Sequence, residues 1–269
     1  MSDVAFLAEE LFKRYGTVKR ARGPFLYTAK GVRLTDLYQE HGRAILGWDG
    51  GSAFTMLKNT LARGTGGSFF TDSTYRMQKA VCDLLGEERI VLSFTDKKKM
   101  LAVALSIAPE NTSFYLPWAP ASPDWSTVSA VAVQPPLPWS TDIWLLALKR
   151  TQSTEAALAL MKQSDALGTA CLPAPVQAAA TRSIYNLIKA LQERSEKDWF
   201  LYDKVLCRYW TRKGPYLYPE VSKETYTDFV LHCLDCGVVV NPSYSTSIVP
   251  FGANPGVFSK LSKNPFEGE

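Results

Sequence analysis

Two prolines set close together in Cys171-Leu-Pro-Ala-Pro-Val-Gln177 limit where the following helix can begin. Each ring fixes φ and removes an N–H donor, so proline is accepted just ahead of a helix or in its first turn and not deeper. Val176, Ala180, Ile184, Leu187, Ile188 and Leu191 then recur at steps of three and four, with Gln177, Arg182, Asn186 and Lys189 mostly between them. The spacing predicts a long helix that starts near Val176 and turns one apolar face to a core. On pattern alone, this is a connecting helix of an α/β protein.

A chain of 269 residues can bury a sizeable core, and two closely packed domains are expected. Hydrophobic residues make up 46% and charged residues 21%, a balance that excludes a disordered or fibrous chain. The stretch Ser2 to Arg14 carries charges throughout and has no long apolar run, so neither a membrane span nor a signal peptide is expected, and the cytoplasm is the default location. The formal net charge is +4 and the one dense basic run is Lys97-Lys98-Lys99, which does not announce a nucleic-acid partner. Five cysteines at scattered positions read as free thiols. Cys233-Leu-Asp-Cys236, beside His232, has no second half that would make a metal site, and Cys233 falls on the apolar stripe Tyr226, Phe229, Val230, Leu234.

Along the chain, Ser2 is placed to cap a helix running to Tyr15, and Phe25 to Leu37 reads as a hairpin turning at Ala29-Lys30-Gly31. Helices are expected through Phe54, Leu57 and Leu61 and from Ser73 to Leu85, the latter closed by Gly86. Between them, Gly64-Thr-Gly-Gly-Ser-Phe-Phe70 lacks phosphate-loop spacing and reads as a connector. Arg89 to Phe94 and Val128 to Val133 are buried-strand patterns separated by a helix from Lys98 to Ala108, which suggests a small parallel sheet, and Asp142 to Leu148 is a further strand. Ser153 is expected to cap a helix to Met161, and the long helix is expected to continue past Trp199 to Trp210 before Lys213-Gly-Pro215. Tyr216 to Val221, a helix from Ser222 to Cys236, and Val238 to Val240 form a final α/β group.

Three of these stretches together resemble the fold-type I pyridoxal-phosphate enzymes, the aminotransferase superfamily. They are Phe25 to Leu37 with Ile45-Leu-Gly47, the proline-led segment Leu172 to Ala180, and Gly214 to Ser243 with Phe251-Gly252, Gly256 and Lys260-Leu-Ser262. The resemblance implies an α/β fold: a shortened large domain with a small mixed sheet and an α+β small domain at the C-terminus. Its segments would be 1–75, an N-terminal helix and hairpin packing with the small domain; 76–172, the reduced large domain; and 173–269, the connecting helix and small domain. It also implies a homodimer.

In that family a lysine forms a Schiff base with the cofactor, an aspartate meets the pyridine nitrogen, and a hydroxyl-rich helix start holds the phosphate. The matching turn here reads Thr95-Asp96-Lys97-Lys98-Lys99, in which Asp96 disfavours an anion. Lys149 is the nearest Schiff-base candidate, and Lys260 stands where a substrate-carboxylate arginine is usual. Only Lys99 to Leu172 remains for the rest of the large-domain sheet. The expectation is an aminotransferase-like protein without pyridoxal-phosphate catalysis, taking no cofactor and acting in binding or subunit interaction. One alternative is an active compact aminotransferase holding pyridoxal phosphate through Thr95, Lys97 and Lys98, with Lys149 catalytic and Lys260 on the substrate carboxylate. The other is an anion or nucleotide binder using Lys97 to Lys99. The sequence does not identify the ligand.

Overall fold

An amphipathic helix, α1 (Asp3–Tyr15), begins the described part of the chain, which comprises residues 3–67, 69, 71–164 and 166–267 of a computed structural model. The expected cap Ser2 lies outside the described residues. The hairpin follows as β2 (Phe25–Thr28) and β3 (Arg33–Asp36), preceded by a strand that the sequence pattern did not reveal, β1 (Val18–Arg22). β1 has no apolar alternation because it is an edge strand with four of its five residues exposed, and charged side chains suit such an edge.

Next come α2 (Ser52–Ala62), α3 (Ser73–Leu85), β4 (Arg89–Phe94), α4 (Lys97–Ile107), β5 (Thr112–Phe114), β6 (Ala130–Val133) and β7 (Trp144–Lys149). Gly86 closes α3 at φ 72°, the left-handed conformation that glycine adopts without strain. Helix α5 (Gln152–Gln163) is capped by Thr151, whose side chain accepts from the Thr154 amide, in place of the expected Ser153. The proline-led helix α6 (Ala174–Glu193) starts two residues earlier than expected, with Pro175 inside its first turn, where a missing N–H costs nothing. Its buried face centres on Ala180, Ile184 and Leu187 and includes Gln177.

The chain ends with α7 (Asp203–Leu206), β8 (Trp210–Lys213), β9 (Tyr216–Pro219), α8 (Tyr226–Asp235), β10 (Val238–Val239), β11 (Ser247–Ile248) and α9 (Ser259–Lys263). The expected helical run to Trp210 is corrected: it breaks into short turns, and Trp210 opens a hairpin with β9. Gly214 makes that reversal at φ 58°, and a Cβ there would sit 2.5 Å from the Trp118 carbonyl oxygen.

The chain divides into two compact units, Gly50–Pro117 with Ala121–Leu191, and Met1–Asp49 with Trp118–Pro120 and Gln192–Glu269. In the first, the sheet order is β4-β7-β6-β5. β4 and β6 run the same way, as the sequence suggested, but antiparallel β7 lies between them and the sheet is mixed. One face carries Val131, Leu145 and Ala147 against α3 and α6, and the other carries Ala130, Leu146 and Leu148 against α4. Helices thus cover both faces of a mixed α/β sheet. The second unit holds the sheets β1-β2-β3-β10 and β11-β9-β8. Its core is strongly aromatic: Trp199, Tyr202, Tyr209, Trp210 and Phe229 are all buried. Cys233 is wholly buried there, as its place on the apolar stripe predicts. No described helix is long and apolar enough to cross a membrane.

In this second unit, Gln39, Glu40 and His41 take φ values of 46°, 51° and 57°, a left-handed run that costs roughly 1–2 kcal/mol per residue. Neighbouring bonds offset the strain. The buried Gln39 side chain donates to the Asp36, Ile248 and Val249 carbonyls, while Asp36 accepts from the Tyr38 and Gln39 amides and from Trp48 Nε1 at 2.7 Å. Burial raises the Asp36 pKa to about 6 despite those bonds. The folded state therefore holds this proton more tightly than the unfolded chain, and stability from Asp36 is present at low pH and lost as pH rises from about 4 to about 6. In urea titrations, the unfolding free energy of the protein relative to its Asp36→Asn variant should fall by about 3 kcal/mol across that window and flatten above it. A pH-independent difference would contradict the assignment.

Candidate functional site

Three strands, β4, β5 and β6, end at one edge of the large-domain sheet, at Phe94, Phe114 and Val133, and β7 begins there with Trp144. Open α/β sheets receive ligands outside the carboxyl ends of their strands. Here side chains of the chain itself fill that edge. Phe114 and Trp144 meet edge to face with centroids 5.8 Å apart, and Lys97 Nζ stands 5.0 Å and 5.3 Å from the two rings. The link from β6 to β7 adds Pro135, Pro136, Leu137 and Pro138, all buried. A cation held against two rings gains roughly 0.5–2 kcal/mol.

The turn between β4 and α4 is closed in a similar way. Asp96 is the N-cap of α4, and its carboxylate accepts from the backbone amides of Lys98 at 2.7 Å and Lys99 at 3.3 Å. A helix start offers its free N–H groups to an anion. At α4 the anion is the protein's own carboxylate. Thr95, Lys98 and Lys99 are exposed.

Lys149 is placed elsewhere. It pairs in register with Arg89, five residues along the strands from the Phe94–Trp144 pair, which is roughly 17 Å. Its ammonium donates to the Ser126 carbonyl at 2.7 Å and lies 3.8 Å from Glu87. The neighbouring Arg89 is fully buried and is the anchor of this end of the sheet. Its guanidinium donates to the carbonyls of Trp125, Val128 and Ala147 and to Glu87 at 2.8 Å. Lys260 is exposed on α9 in the other unit. Pyridoxal phosphate, one ring with a short phosphate arm, does not reach from Thr95, Lys97 and Lys98 to Lys149, and the amides that would cradle its phosphate serve Asp96. These residues do not fit that cofactor.

A cavity of about 560 Å³ lies in the same unit among α2, α3 and α6, with Thr60, Arg63, Ser73 and Arg182 in its lining. The sequence reading missed it, since Arg63 was placed at a helix end, Thr65 in a connector and Arg182 on the outer face of a helix. The available signal was the recurrence of hydroxyls at Thr60, Thr65, Thr71 and Ser73 around a lone arginine.

The fold has clear relatives among known structures. The chain superposes on ornithine delta-aminotransferase of Plasmodium falciparum with a TM-score of 0.63 and 11% identity, covering 98% of this chain and 97% of that one. For ornithine aminotransferase of Toxoplasma gondii ME49 the values are 0.66 and 10%, with 98% and 94% covered. For serine palmitoyltransferase of S. paucimobilis, solved with a bound PLP–myriocin aldimine, they are 0.62 and 12%, with 96% and 94% covered. The fold is aminotransferase-like. In sequence, the chain is 27% identical over 279 positions to an uncharacterized protein of Treponema pallidum (strain Nichols), covering 90% of this chain and 91% of that one. No family model matches.

The two basic residues at the Arg89 end should differ sharply when removed. Lys149→Ala, which takes away a side chain 40% exposed, is expected to cost less than about 1 kcal/mol in urea unfolding. Arg89→Ala strands three carbonyls and leaves a void, and is expected to cost about 3 kcal/mol or more. Equal losses would refute this division of roles.

Proposed function

We propose that this protein keeps an aminotransferase scaffold without pyridoxal-phosphate catalysis and acts as a binding or subunit-interaction protein. The observation that carries the reading is the state of the sheet's carboxyl edge. Phe114, Trp144 and Lys97 pack against one another at that edge, and Asp96 takes the helix-start amides. Lys149 supports the same reading, because its ammonium is bound to Ser126 and near Glu87 at the opposite end of β7. Fold alone does not carry activity, which resides in the site. A second copy of this chain is the partner we propose, on the resemblance of its hairpin, helix and C-terminal segments to a dimeric family.

The test is spectroscopic. Purified protein mixed with pyridoxal phosphate is scanned for the absorbance of a lysine aldimine, beside the Lys149→Ala variant. The two spectra are expected to match. A stoichiometric band lost in Lys149→Ala would overturn the proposal, as would transfer of an amino group to a keto acid at saturating cofactor.

A further inference from the structure

We infer that the cleft formed by α2, α3 and α6 is a binding site for a small organic phosphate, a phosphomonoester joined to a short apolar group. Its volume of about 560 Å³ lies within the range of small-molecule sites. The inference gives a ligand class to the binding role proposed above and rests on that reading for its biological sense. Its residues are separate from Lys149, Thr95, Lys97 and Lys98.

The charge of the cleft is unbalanced. Four cations and one carboxylate line it. Arg76 is matched by Asp72 at 2.6 Å, and Lys79 by Asp83 at 3.1 Å. Arg63 has no partner among the described residues, and Arg182 spends only its Nε, on Ser52 Oγ at 3.0 Å, leaving both terminal nitrogens free. Two uncommitted guanidiniums suit a dianionic phosphate, whose oxygens accept paired N–H donors.

Two hydroxyl residues add polar groups to the lining. Thr60 is 8% exposed and Ser73 is 7% exposed, and both line the cavity. Thr60 lies in α2 without bonding back to its own helix, in contrast to Thr181, which donates to the Gln177 carbonyl at 2.7 Å. Ser73 is the first residue of α3, a helix whose N-cap Asp72 makes no side-chain cap bond. Met56, Ala178 and the half-buried ring of Tyr185 complete the lining and give an apolar group a surface to cover.

Phenyl phosphate is the probe, titrated calorimetrically into the full chain at low salt. One saturable site is expected, with affinity at least tenfold lower in Arg63→Gln and in Arg182→Gln and unchanged in Arg150→Gln, an exposed arginine paired with Glu155 outside the cleft. Phenylacetate, of similar size but a carboxylate, should bind at least tenfold more weakly. Thr60→Val should weaken phenyl phosphate severalfold. Absence of saturable binding, affinity unchanged in both arginine variants, or equal affinity for phenylacetate would overturn the inference. None of these outcomes depends on whether Lys149 forms an aldimine, so the two proposals fail separately.

Discussion

Strand β7 lies between β4 and β6 and runs against both, so Trp144 stands where its neighbours end and Lys149 where they begin. Much of the first unit follows from this direction. At the Lys149 end, buried Arg89 gathers carbonyls from β7 and from the segment leading into β6. A guanidinium with fixed, planar donors can tie several carbonyls at once, and removing it from water is tolerable only because those acceptors and Glu87 are present. Lys149 lies over this anchor and adds a partly exposed charge to it.

At the opposite end the same strand direction brings Trp144 beside Phe114 and under Lys97. There the two rings pack edge to face, Lys97 stands against them, and Asp96 accepts from the amides at the start of α4. The backbone superposes on aminotransferases at about one-tenth identity. Backbone fold depends on which positions are buried, whereas a site depends on which groups are presented. The α2–α3–α6 cleft has a different character, with Arg63 and the terminal nitrogens of Arg182 making no bond among the described residues.

Where neighbours in sequence settle the structure, the elements were legible. The helices α3 and α4 and the strands β4, β6 and β7 follow from local periodicity, and α6 from its prolines. β1 was hidden because its stability comes from pairing with β2 rather than from burial of its own side chains. β8 was hidden because Trp210 packs among Tyr209 and Phe229, and its pairing with β9 needs the reversal at Gly214. The candidate site was legible only in part. Asp96 was read as disfavouring an anion at the start of α4, where its carboxylate accepts from the Lys98 and Lys99 amides, but Lys149 was judged by its place along the chain and not by the end of the sheet it occupies.

The sequence by itself determined the α/β class, the start of α6, the burial of Cys233 and the resemblance of three stretches to an aminotransferase scaffold, since each rests on spacing within a short segment. Only the tertiary structure decided that β7 runs antiparallel, that Lys149 and the Thr95–Lys98 turn lie at opposite ends of a strand pair, and that Arg63, Arg182, Thr60 and Ser73 share one cleft. The reason is that strand direction and the meeting of distant helices are fixed by packing between segments, and no local pattern of residues carries that information.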